Sequence, residues 1–187
     1  MIHVTSDELH EGLDVIRRSP QDDGIVRLIV RRPEIGKREV LQQAELHPSI
    51  GVVGDNWRAR GSSRTADGSS HSDMQINVMN SRVIDLLARD AARWPLAGDQ
   101  LFVDLDLSVV NLPPGTRLTV GTAIIEATDQ PHTGCAKFVE RFGLAAMKFV
   151  NSPLGRELQL RGINARVVQG GIVRVGDVAT KLQGRRS

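Results

Sequence analysis

The chain has 187 residues, a formal net charge of +2, 40% hydrophobic and 25% charged residues. This is an ordinary soluble, globular composition, long enough for one domain over residues 1–187 with a sizeable core. No apolar run is long enough to span a membrane, and one cysteine excludes an internal disulfide and any multi-cysteine metal site.

Thr5 or Ser6 can cap a helix from about Asp7 to Arg17, with Leu9, Leu13 and Ile16 on one face. Turn chemistry at Ser19–Gly24 precedes a β-branched strand, Ile25–Arg31. Pro33–Lys37 reads as a hairpin connection into a second strand, about Arg38 to Leu46. Residues 61–72 are rich in Gly and Ser and nearly free of apolar side chains, which predicts a long mobile loop. Gln75–Met79 reads as a strand. Ser81 then caps a helix to about Arg93, burying Val83, Ile84, Leu87 and Ala91.

Leu101–Val109 alternates, with odd positions apolar. Asp104 and Asp106 then share an outer face about 7 Å apart, which reads as a solvated strand face rather than a carboxylate pair. Short strands follow at Arg117–Val120 and Ala123–Thr128. Helix is expected at Cys135–Arg141 and Leu144–Val150, broken at Gly143. Ile163–Val168 and Ile172–Val175 read as a hairpin over Gln169–Gly171, and a last short strand follows Asp177. Many short strands, glycine turns and few helices predict a mainly β chain with a few helices (α+β), curled into a sheet or barrel.

Basic residues cluster locally only at Arg17–Arg18, Arg31–Arg32 and Arg185–Arg186, and these read as solvated faces. With 4 Phe, 2 Trp and no Tyr there are few platforms for stacking bases, so no nucleic-acid partner is expected. Met1–Leu9 lacks a basic segment followed by an apolar one. With a single cysteine, this leads us to expect a reducing, cytoplasmic setting.

The chemistry centres on Cys135, in Gln130–Phe138, between a β-rich run and a helix. A lone thiol there can be a nucleophile, a sulfur carrier or one thiolate ligand to a metal held mainly by something else, unless it is simply a buried small hydrophobe. A helix starting at Cys135, together with Lys137, favours the thiolate, and His132 can assist it. A thiol hydrolase using Cys135 with His132 or His71 finds no nucleophile-elbow sequence. No dinucleotide fingerprint is present either.

Four segments stand in order around this cysteine: Leu112–Gly121, Ala123–Thr128, Pro131–Lys137 and Arg161–Asp177. Together they resemble the MOSC domain, the module named after the C-terminal part of molybdenum-cofactor sulfurases. Gly51–Asp55 is similar to that family's Gly-hydrophobic-x-Gly-Asp loop. The resemblance covers roughly residues 24–180 and is strongest over 98–180. Two departures stand out: His71-Ser72-Asp73 replaces a His-Gly-Gly loop, and Gly134 replaces the proline common before the cysteine.

The resemblance implies a MOSC-like β-barrel that handles the molybdenum cofactor (molybdopterin), or sulfur bound for it, through Cys135 as metal ligand or persulfide. It implies a cysteine desulfurase as sulfur donor, or an electron-transfer reductase if the chain reduces N-hydroxylated compounds. A non-catalytic binding or delivery module is the alternative. No pyridoxal phosphate site is expected, since nothing resembles the pyridoxal domain of full sulfurases. For the cofactor's phosphate, Lys137, Arg166 and Arg64 are the cationic candidates. Asp55 and Asn77 are placed to orient loops at the barrel mouth, and His71 lies in the matching loop.

Overall fold

The computed structural model describes residues 3–182; the Arg185–Arg186 pair lies outside them. Among the described residues, eleven strands form two sheets. β1 (Gly24–Arg31), β5 (Ile76–Asn80), β6 (Leu101–Asp104), β7 (Arg117–Val120), β8 (Ala123–Ala127), β9 (Ile163–Gln169) and β11 (Val178–Lys181) close into a ring. The order is β1-β11-β7-β8-β9-β5-β6 and back to β1, with β2 (Glu39–Leu41) added beside β1. The expected barrel is therefore present, with seven strands in the ring.

β1 closes the ring because it is long. Its first residues pair with β11, its middle with β6 and its end with β2, across a bulge between Val26 and Leu28. A bulge strengthens local twist, which closure of a small barrel needs. β5 and β6 form the parallel pair, so a crossover must join them. α4 (Ser81–Ala88) and a 3-10 turn (Ala91–Ala97) supply it.

Two cores follow from which face each residue takes. Val26, Ile29, Ile76, Val78, Leu101 and Val103 fill the barrel. Val30, Met79 and Phe102 point outward under a helical layer: α1 (Ser6–Glu11), α2 (Leu13–Arg17), α4 and α5 (Ala136–Asn151). The central strands are thus apolar on both faces.

This corrects the Leu101–Val109 reading. The strand ends at Asp104, and even-numbered Phe102 is fully buried beneath the helices. Asp104 is not a solvated acid, since Arg82 and Arg27 both pair with it. The expected hairpin of residues 163–175 does not form either. β9 pairs with β8 and β5, while β10 (Gly171–Arg174) pairs with β3 (Gln43–His47) in a small second sheet completed by β4 (Gly51–Val52). The Gly170 turn passes the chain from one sheet to the other.

The capping expectations divide. Thr5 makes a capping box with Glu8, as one of the two candidate caps. At α4 the cap is Asn80, whose Oδ1 accepts from the Arg82 N–H, and Arg89 ends the helix in a left-handed conformation. α5 breaks at Gly143 (φ 89°), the expected position, and its second half folds back so that Gly134 lies against Met147, Val150 and Asn151. The 61–71 loop closes on itself: the Ser62 N–H donates to the Gly68 carbonyl, and the single O–H of Thr65 lies between the carbonyls of Ser62 and Ser69, within hydrogen-bonding distance of either.

Candidate functional site

Cys135 is exposed, so it is not a buried core thiol. It is the N-cap residue of α5, with extended backbone. The turn before it is clamped by Asn151 at the far end of α5. The Gly134 N–H donates to the Asn151 side-chain carbonyl (2.9 Å), and the Asn151 amide donates back to the Gly134 carbonyl (3.1 Å). The break at Gly143 is what brings Asn151 there. Local backbone freedom at one glycine therefore sets where the thiol sits.

Cys135 opens into a cavity of about 270 Å3. Six permanent cations line it: Arg32, Arg38, Arg60, Lys137, Arg141 and Arg161, together with His132 and Asn77. Only two of these have a carboxylate partner among the described residues. Arg32 pairs with Asp55, with side chains 6% and 0% exposed. Arg161 pairs with fully buried Asp99 (2.7 Å) and lies over the Phe138 ring at 4.9 Å.

Arg38, Arg60, Lys137 and Arg141 lack acidic partners. Burial lowers the Arg38 guanidinium from its ordinary value, and the charges of Arg141 and Arg32 add to this. Burial and then Arg32 do the same to Arg60. Like charges this close raise each other's free energy, and an anion relieves all of them at once.

A buried polar chain links the cavity floor to the cysteine loop. The Arg32 Nη1 donates to the Asn77 side-chain oxygen (3.1 Å) and to the Gly98 carbonyl (3.0 Å). The Asn77 amide donates to Asn164 (2.6 Å), whose own amide donates to the Gln130 carbonyl (3.1 Å). Such satisfied networks hold one geometry.

His132 is 13% exposed, with its Nδ1 3.5 Å from Asp99 Oδ1, and neither atom has a hydrogen-bond partner among the described residues. Burial, then the charges of Arg161, Arg32 and Arg64, hold His132 well below the ordinary imidazole range. It is therefore neutral near pH 7. Burial pushes Asp99 up while Arg161 pulls it down.

The His132 shift has a consequence for stability. The unfolded state takes up a proton near pH 6.5 and the folded state does so only at lower pH. Stability is thus full above about 6.5 and falls on acidification, by at most about 1.4 kcal/mol per pH unit. Asp99 works with the opposite sign, from about pH 3.8 upward. Urea midpoints of wild type and His132→Gln between pH 5 and 8 isolate the histidine: the wild-type curve drops more steeply below 6.5. Parallel curves would refute this.

The other sequence candidates fall in different places. Lys137 and Asn77 are in the cavity wall, and Asp55 lies behind it, orienting Arg32. Asp55 also accepts from the Trp57 N–H at the start of a short helix, α3 (Trp57–Arg60). Arg64 is on the closed loop, near enough for its charge to act on His132. Arg166 is elsewhere, pairing with Glu126 (2.6 Å) and Asp73 (3.3 Å) in a separate groove. His71 caps a short turn by accepting from the Asp73 N–H, outside the cavity lining.

Arg32, read from sequence as part of a solvated pair, is buried. Arg38, Arg60, Arg141, Arg161 and Asp99 carried no local signal. Arg161 opened the Arg161–Asp177 segment of the resemblance, but neither it nor the others had been given a role.

No family model matches this sequence, and no curated protein matches it significantly. Solved structures do. The YuaD protein from Bacillus subtilis matches at TM-score 0.64 and 15% identity, over 86% of this chain and 97% of that one. YiiM from Escherichia coli matches at TM-score 0.55 and 18% identity, over 87% and 72%. YiiM from Geobacillus stearothermophilus matches at 0.52 and 15%, over 87% and 75%. At these identities the likeness is one of fold, and the fold is a MOSC-like β-barrel of the α+β class. No helix among the described residues is long and apolar enough to cross a membrane.

Proposed function

We propose that this chain binds the molybdenum cofactor, or holds sulfur for it, through Cys135. The observation that carries the reading is an exposed thiol opening into a cavity where four cations lack acidic partners. The residues present fit such a group. The cofactor is a phosphate ester, and Arg38, Arg60, Lys137 and Arg141 offer guanidinium and ammonium donors, including a buried Arg38 Nε with no partner. No cluster of three or more His, Cys, Asp or Glu side chains able to hold a metal exists among the described residues. A metal here would take one thiolate from Cys135 and its remaining ligands from the cofactor's own sulfurs.

When bound, the cofactor supplies redox chemistry and a sulfur-ligated metal. The chain's own residues do the rest. The cation wall holds anionic groups, and Cys135 presents a soft sulfur donor beside it. In the sulfur-carrying form, the Cys135 thiolate attacks the terminal sulfur of a donor persulfide. A new S–S bond forms at Cys135, the donor S–S bond breaks, and the donor thiolate leaves. A cysteine desulfurase is the donor this step calls for. Turnover of N-hydroxylated substrates would instead need a separate electron-transfer reductase.

Elemental molybdenum analysis with intact-protein mass spectrometry tests this, on wild type and Cys135→Ser after incubation with cofactor and a sulfur donor. We expect bound molybdenum, or one added sulfur removable by reductant, in wild type, and a loss of at least about tenfold in the variant. Molybdenum lost with the thiol makes Cys135 a ligand; sulfur lost makes it a carrier. Neither species in either protein sinks the proposal.

A further inference from the structure

A second compartment of about 130 Å3 adjoins the Cys135 cavity, and Arg32, Arg38, Arg60 and Lys137 line both. Asp55 answers the charge of Arg32, but the other three have no acidic partner among the described residues. The one acid in the second compartment, Glu34, is bound to Lys37. Two buried polar atoms lack partners among the described residues: Arg38 Nε, a donor on the shared wall, and Asn56 Oδ1, an acceptor in the second compartment.

Cations shared by two compartments present donors to both sides. One phosphoryl group can occupy one side of the wall. Two linked phosphoryl groups put oxygens on both, and so relieve more of the mutual repulsion of Arg38, Arg60 and Lys137. An acceptor such as Asn56 Oδ1 has no use for an anion. It suits a hydroxyl or amine attached beyond the second phosphoryl group.

We infer that the two compartments form one site for a diphosphate-bearing ligand, with a phosphoryl group on each side of the Arg38–Arg60–Lys137 wall and a hydroxyl or amine donating to Asn56. This rests on reading the Cys135 cavity as the ligand site, and narrows that ligand to a diphosphate ester rather than one ending in a monophosphate.

Isothermal titration of the full chain with inorganic pyrophosphate, orthophosphate and citrate tests it without any cofactor. Pyrophosphate should bind about tenfold or more tighter than either other anion. Arg60→Ala, at a residue that lines the cavity but stays partly open to solvent, should abolish that preference, while Arg17→Ala, outside both compartments, should leave it intact. A preference below tenfold, or one that survives Arg60→Ala, overturns the inference. The outcomes separate from those for the cofactor. Pyrophosphate preference without molybdenum or sulfur keeps this site and sinks the cofactor reading, and cofactor binding without the preference does the reverse.

Discussion

Asp55→Ala should lower folding stability by about 3–5 kcal/mol, the range for removing one partner of a buried ion pair. Its carboxylate accepts from the Arg32 N–H, Nε and Nη2 and from the Trp57 N–H, at 2.9–3.0 Å. Without it, the Arg32 guanidinium stays buried with no carboxylate bound to it, beside Arg38 and Arg60, and the nearest other acid, Asp99, is already held by Arg161. The pair need not be a net gain over apolar residues; the cost lies in stranding one charge. Arg32→Leu combined with Asp55→Leu should therefore be less costly than Asp55→Ala. Arg27→Ala, at a half-exposed pair with Asp104, should cost under about 1 kcal/mol. Urea titrations of the four proteins check this. A loss below about 1 kcal/mol for Asp55→Ala would mean that Arg32 finds another counter-charge.

The second large effect is expected at Gly162, which turns the chain from buried Arg161 into β9. Its φ is 103°, and a Cβ there would lie 2.3 Å from the Val78 carbonyl oxygen on β5. Backbone strain and that backbone clash act together, so Gly162→Ala should cost about 2–4 kcal/mol. The clash can be relieved only by moving β9 off β5, which shifts Arg161 from Asp99 and disturbs the wall holding His132. Gly68→Ala is the control. Its φ is also positive (72°), but nothing lies within 4 Å of a Cβ, leaving only strain of about 1–2 kcal/mol. Equal losses at the two glycines would show that the β5–β9 contact is not what Gly162 protects.

Much of the barrel was legible because strand propensity, turn glycines and helix caps are short-range properties. Ile25–Arg31 and Ala123–Thr128 read as strands because β-branched side chains recur between turn residues, and both are strands. The Gly143 break was visible because only glycine takes that conformation without strain. The residues 163–175 misled for an equally physical reason. Two strands joined by a glycine turn look alike whether they pair with each other or leave for different sheets, and β3 competes successfully for β10. Phe102 misled because alternation assumes one wet face, and the helical layer removes it.

Sequence alone determined the element types, the curled β architecture, and a single thiol placed at a strand-to-helix turn. Each depends on residues within a few positions of one another. Only the tertiary structure decided that Arg32, Arg38, Arg60, Lys137, Arg141 and Arg161 face one cavity with Cys135. Those residues come from the end of β1, the connection to β2, the turn after β4, α5 and the start of β9. Their charges sum through space, not along the chain, and barrel closure is what sets the distances.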